Sequence, residues 1–354
     1  MAANGKPVDG SLYFYAPIKT VPPMFAAWFL VAVIAHIWQC IRYKSWRITA
    51  LHPLCALIFA AGFALRAYNA WFYDNIGTYI ASTLLIYCAP PLLELANYHV
   101  LGRILYYVPY FAPLHPGRTL TTFGFLSTIV EVMNALGVSY LLSPKIGESK
   151  QKFGHGLMKA SLICQLAVIS TFCVIAGVFH RRCSRAGITT RKVQGPLLTM
   201  YISMTLILIR TIYRIVEHFG QSQIPANPPP GWDPMSLSPI VRYEWVFWVF
   251  EASLMLVNTV LWNYRHPRRY PPEDYHAYLA QDGQTELKGP GWKDDMPWFM
   301  TFIDPCGLTA AVTGGGRTKE PPFWELNGFE HIPLVRIRRE HEVKCTSAVN
   351  GMHA

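Results

Sequence analysis

Arg210, Tyr213, Arg214 and Glu217 recur at three- and four-residue spacing inside the apolar stretch Leu206–Gly220, LILIRTIYRIVEHFG. On a helix this spacing puts them on one face. Ionisable groups at membrane depth are costly, so they turn toward a bundle interior or an aqueous cavity and find partners there. A plainer reading stands beside that one: Arg214 and Glu217 form an i,i+3 pair that locks the helix. Similar residues punctuate other apolar runs. YCAPPLLELANYHVLGRI carries Glu94 and Asn97 after Pro90–Pro91, a pair expected to kink or break its helix. Ser127, Glu131 and Asn134 share helical spacing, Gln165 follows Ser161 by one turn, and Arg66 lies toward the end of CALIFAAGFALRAY. Gln165 and Ser161 read equally as interhelical glue, and Arg66 either snorkels to the interface or meets a carboxylate. In YEWVFWVFEASLMLVNTVLW, Glu244, Trp248 and Glu251 are spaced by four and three, which predicts both carboxylates and the indole on one face. Glu244 is close enough to the end of the run to be solvated, whereas Glu251 is deeper and is the natural partner of Arg210 or Arg214.

Two chemistries suit such residues. Buried carboxylates held by arginines can receive a cationic or hydroxylated head group. A carboxylic acid kept neutral by burial can instead protonate an alkene or epoxide, with Glu94 and Glu131 as acid and base and tryptophans stabilising a carbocation.

The elements that position these groups follow from composition. The 354 residues are 52% apolar and only 15% charged, well below the roughly 25% charge of a soluble domain. Mean hydropathy is +0.21. Seven apolar runs approach the about 20 residues that a transmembrane helix needs: Pro23–Cys40, Leu51–Tyr73, Thr78–Tyr98, Leu120–Leu142, His155–His180, Leu197–Phe219 and Tyr243–Tyr264. The expected fold is an all-α, seven-helix integral membrane bundle over residues 23–264. Residues 1–22 form an extracytoplasmic segment without a cleavable signal, and 265–354 a cytoplasmic, largely irregular tail. Orientation comes from basic residues. Thirteen of them, from Arg42 to Arg269, occupy the connections after the first, third and fifth runs and the segment after the last, against six on the other side: Lys6, Lys19, Lys145, Lys150, Lys152 and Arg242. Positive-inside counting therefore predicts an outside N-terminus and a cytoplasmic C-terminus. The net charge of +10 reads as topology and lipid-head contact, with no nucleic acid as partner.

Eight cysteines are scattered without CxxC or Cys/His zinc spacing, so no metal and no cofactor is expected. Cys183, beside the end of the fifth run, is a candidate for palmitoylation. TGGGRTK at Thr313–Lys319 lacks the spacing of a phosphate loop.

Five blocks in order resemble the fungal RTA-type (resistance to aminocholesterol) family of lipid-translocating exporters. They are SLYFYAP at Ser11–Pro17, GFALR at Gly62–Arg66, APPLLELANYHVLGR at Ala89–Arg103, IRTIYRIVE in the sixth run, and EWVFWVFE followed by His266–Pro267. The resemblance covers about 11–268. The departures lie at the polar positions. Ser127 and Asn134 stand where the family usually has Asp and Gln, Gly137–Val138 where it has paired glycines, and Glu131 is displaced by one turn. An acid before the second-run glycine is replaced near Phe59, and Glu251 stands for Asp.

The resemblance implies a translocator or exporter of amphipathic lipids or hydrophobic metabolites, its partner being a lipid or other hydrophobic small molecule within the membrane. Transport would be passive, ion-coupled or dependent on another protein. The residues that would face the ligand are Arg66, Glu94, Asn97, Glu131, Asn134, Gln165, Arg210, Tyr213, Arg214, Glu217, Trp248 and Glu251. An acid–base cyclase or isomerase acting on a terpenoid or lipid is the alternative, with Glu94 and Glu131 as catalytic candidates, and a seven-helix receptor is the third. The sequence assigns no oligomeric state.

Overall fold

The computed structural model describes residues 17–72, 75–142, 147–221, 238–270, 276–280, 283 and 285–289. The aromatic opening before Pro17, the connection 222–237 and the tail beyond 289 lie outside the described residues. Seven helices are long and apolar enough to cross a membrane, and the chain is an all-α, multi-pass integral membrane protein.

The first span is α1 (Val21–Arg42), which starts on prolines whose missing N–H groups cost nothing in a first turn. A short α2 (Trp46–Thr49) leads into α3 (Leu51–Asn69), followed by α4 (Ile76–Tyr107), α5 (Pro116–Leu142), α6 (Glu148–Arg185) and α7 (Arg191–Gln221). Gly187, at φ 78°, turns the chain after α6, where the Ile188 N–H bonds the Cys183 carbonyl at 3.0 Å. Cys183 itself is buried, so a palmitoyl group there would have to displace core packing, contrary to the expectation from sequence. The last span joins α8 (Pro239–Arg242), α9 (Glu244–Phe247), a π-helical turn (Trp248–Ser253) and α10 (Leu254–Tyr264).

One feature narrows the sequence reading. Pro90–Pro91 do not break their helix, because α4 is continuous for 32 residues. The prolines are buried, and α3 lies against this stretch as a splint. Cys55 Sγ donates to the Ala89 carbonyl at 3.0 Å and Ser82 Oγ to the Gly62 carbonyl at 2.9 Å. Gly62 permits the approach, since a Cβ there would sit 2.9 Å from Ile86 Cγ1. After the last span, β1 (Ala277–Leu279) pairs antiparallel with β2 (Glu286–Lys288).

The chain divides into two compact units. The first comprises 1–97, 126–170 and 202–266. Its aromatic core stacks Phe29 on Phe59 at 4.7 Å and Phe25 on Trp248 at 5.3 Å, with Phe63 between them. The second comprises 98–125, 171–201 and 267–354. There Tyr98 packs 4.7 Å from Phe172, and the hairpin is tied to the end of α4. Arg103 Nη1 donates to the Ala277 carbonyl at 3.3 Å, the Tyr110 hydroxyl to the Ala280 carbonyl at 2.8 Å, and the Tyr107 hydroxyl to Glu286 Oε1 at 2.7 Å. Lys192 Nζ reaches the same Glu286 oxygen at 2.7 Å.

Candidate functional site: a buried ion cluster

The face predicted on α7 is real and lies inside the first unit. Glu251 Oε2 accepts from Arg210 Nε and Arg214 Nε, each at 2.7 Å. Arg214 Nη1 donates to Glu217 Oε2 at 2.6 Å and to the Tyr87 hydroxyl at 3.0 Å, and the Arg214 guanidinium lies 4.3 Å over the Tyr87 ring. The Tyr213 hydroxyl donates to Glu217 Oε1 at 2.9 Å. Arg210 and Arg214 are 3% exposed and Glu251 is 0% exposed. The i,i+3 pair and the wider cluster therefore coexist, and Glu217 belongs to both.

Four charges in hydrocarbon are tolerable only because they cancel and bond one another. Two guanidiniums meet two carboxylates, so the group is formally neutral. Each charge has a charged partner, which offsets a desolvation cost of several kcal/mol per ion. The π turn delivers Glu251 to this group. Its i→i+5 bonding widens the helix by part of a residue per turn, and such turns recur at functional positions.

The same turn sets Glu251 apart from Glu244 and Trp248, where the expectation of one shared face assumes α-helical spacing throughout. Glu244 Oε1 accepts from Arg66 Nη2 at 3.1 Å, and Oε2 from the Ile18 N–H at 2.8 Å. Glu244 is buried rather than solvated. Arg66 thus meets an inward carboxylate rather than snorkelling to the interface. Trp248 packs in the aromatic core with Phe25 and Phe63, and the Arg66 guanidinium lies 5.2 Å from its ring centroid. Phe247 links the two ion groups, its ring centroid 4.1 Å from Arg66 Cζ and 5.4 Å from Arg214 Cζ, within cation–π range.

The remaining predicted residues form satellites. Glu131 lies beside Cys88 and Asn134 and within electrostatic reach of Arg210. Asn134 Oδ1 accepts from Ser161 Oγ. Glu94 Oε1 accepts from Gln165 Nε2 at 2.7 Å, so an amide rather than an arginine holds it. Asn97 belongs to a separate polar layer, donating to Ser203 Oγ at 2.9 Å, to which Trp262 Nε1 also donates at 3.1 Å.

Sequence reasoning missed Tyr87, His218, Phe247 and Ser203. Tyr87 is two helical turns before Glu94, and His218 one turn after Arg214, so spacing could have found both. Nothing in the sequence separates Phe247 or Ser203 from ordinary core residues. Several buried polar atoms have no hydrogen-bond partner: Arg214 Nη2, Glu251 Oε1, Glu131 Oε2 and both His218 nitrogens. They offer donors and acceptors together, the pattern that a hydroxyl or water satisfies. Among the described residues, no group of three or more His, Cys, Asp or Glu is placed to hold a metal ion.

The sequence pattern of the family described as "RTA1 like protein" matches residues 53–274. The chain is similar to a "Lipid-translocating exporter-like protein RTA1" of Leptosphaeria maculans, with 45% identity over 314 residues, covering 86% of this chain and 60% of that protein. It thus spans less than two thirds of that relative's length. A protein of the same description from Ajellomyces capsulatus is 29% identical over 285 residues, covering 77% of this chain and 85% of its own. "Protoporphyrin uptake protein 1" of Saccharomyces cerevisiae is 28% identical over 203 residues, covering 56% and 61%. No solved structure matches the chain.

Proposed function

Because this chain belongs to the RTA1-like protein family, we propose that it carries amphipathic lipids or other hydrophobic molecules from one face of a membrane to the other. The relatives whose names include lipid translocation and porphyrin uptake support the substrate class. The observation that carries the reading is the buried Arg210–Arg214–Glu217–Glu251 cluster, with Arg214 Nη2 and Glu251 Oε1 left over for a ligand. A polar head group entering hydrocarbon loses its water, and these atoms replace it. Glu131, Asn134, Glu94 and Gln165 extend the polar path along α4, α5 and α6. In this reading 23–264 is the transport domain, residues 1–22 face outward and 265–354 lie in the cytoplasm.

The test is mass spectrometry on liposomes containing the purified chain and a pool of sphingoid bases, sterols and terpenoid epoxides. Redistribution of one compound between leaflets, with unchanged mass and dependence on Glu131, supports translocation. A product of altered mass that requires Glu94 and Glu131 would replace it with an enzyme reading.

A further inference from the structure

Along α7 and the start of the last span runs an apolar groove of about 350 Å³, walled in part by Ile212, Val216, Trp245, Val246 and Phe250. This volume lies within the range of small-molecule sites. Ile212 is 48%, Val216 43% and Trp245 57% exposed, on helices that span the membrane. In a membrane these exposed apolar side chains suit contact with lipid chains. Its wall also includes Tyr213, which is buried and stacks 5.9 Å from Phe250. The Tyr213 hydroxyl points away from the groove's hydrocarbon, onto Glu217 Oε1. Glu217 is bonded in turn to Arg214, and Arg214 to Glu251. A single phenol thus stands between a lipid-facing apolar slot and the ion cluster.

We propose that this groove is the lateral entry site for a hydroxylated single-chain amphiphile, whose chain lies along α7 and whose hydroxyl takes the place of Tyr213 on Glu217. This rests on the translocator reading and names the head group and the route. Charge selects the head. Two arginines and two glutamates already balance, and a hydroxyl replaces a hydroxyl without disturbing that balance. An ammonium or a carboxylate would each leave the balanced group with a net charge away from water. Tyr213, released, remains stacked against Phe250 as the cover of the slot.

The test uses the full chain in liposomes with a long-chain primary alcohol carrying a photoreactive diazirine in its chain. Adducts should concentrate on groove residues. Unlabelled alcohol should compete at least about tenfold better than the amine, carboxylate or alkane of equal length. Val216→Trp and Ile212→Trp, at exposed positions, should lower both labelling and transbilayer transfer by about tenfold or more, whereas Ile163→Trp, exposed on α6, should leave both unchanged. Tyr213→Phe, which leaves Glu217 Oε1 open, should strengthen competition by the alcohol. Labelling spread evenly over the exposed helix faces overturns the site, and equal competition by all head groups overturns the hydroxyl assignment. The two readings fail differently. Transfer that survives both tryptophan variants retires the groove and keeps translocation, whereas groove-confined, competable labelling without transfer keeps the groove and retires translocation.

Discussion

At the scale of single residues, the ion cluster separates architecture from activity. Glu251 serves two arginines, so Glu251→Gln leaves two buried guanidiniums with one carboxylate between them. Breaking a buried pair in this way costs about 3–5 kcal/mol, and the expected outcome is a large loss of folded protein, read by fluorescence-detected size exclusion. Arg214→Lys should fail almost as badly, because a point-charge ammonium cannot bond Glu251, Glu217 and Tyr87 at once. Glu131 differs. Its Oε2 is buried without a hydrogen bond. Glu131→Gln should therefore keep abundance and melting temperature while cutting transfer by about tenfold, the loss of one charge-assisted contact. Normal abundance in Glu251→Gln, or full transfer in Glu131→Gln, removes the shared-cluster explanation. Most of this was legible from the chain, since Arg210, Arg214 and Glu217 announce themselves by charge in an apolar run. Tyr87 and Phe247 did not, because an aromatic ring in such a run has the same signature whether it packs or holds a guanidinium.

At the scale of elements, legibility depended on period. Helices of nineteen residues or more were visible as apolar runs, although α4 and α6 extend well past them. A six-residue π turn and three-residue strands repeat nothing, so spacing could not find them. The hairpin makes its own prediction. Glu286 is held below the ordinary carboxylate value, first by the hydrogen bond from Lys192 and also by that from Tyr107. A carboxylate depressed in the folded state stabilises above its unfolded value of 4.5, and that contribution is lost as pH falls from there through the lower folded value. Protection of 277–279 and 286–288 against hydrogen exchange should therefore be flat through neutral pH and weaken in acid below that point. Glu286→Gln should lower protection at neutral pH and flatten the acid transition. The contact between α3 and α4 offers a second check. A leucine at Gly62 would drive its Cβ onto Ile86 and separate the helices at the proline pair, so Gly62→Leu should lower the melting temperature markedly.

At the scale of the whole molecule, the translocator reading puts the residues before the first span and those after the seventh on opposite sides of the membrane. The bias of basic residues predicts which side is which, and a membrane-impermeant maleimide checks it. A cysteine at Ile18 should label in intact cells, whereas one at His276 should label only after permeabilisation; the reverse pattern inverts the assigned orientation. The order of the spans has a further consequence, for biogenesis. Arg210 and Arg214 leave the ribosome before Glu251, which follows them by 41 and 37 residues. An arginine at the centre of a helix raises its cost of insertion by about 2.5–3.5 kcal/mol. Until the final span is synthesised, α7 lacks the carboxylate that bonds both of its arginines. Nascent chains stalled before Glu251 should therefore leave α7 poorly inserted and open to membrane quality control, so that the last helix to be made licenses the one before it.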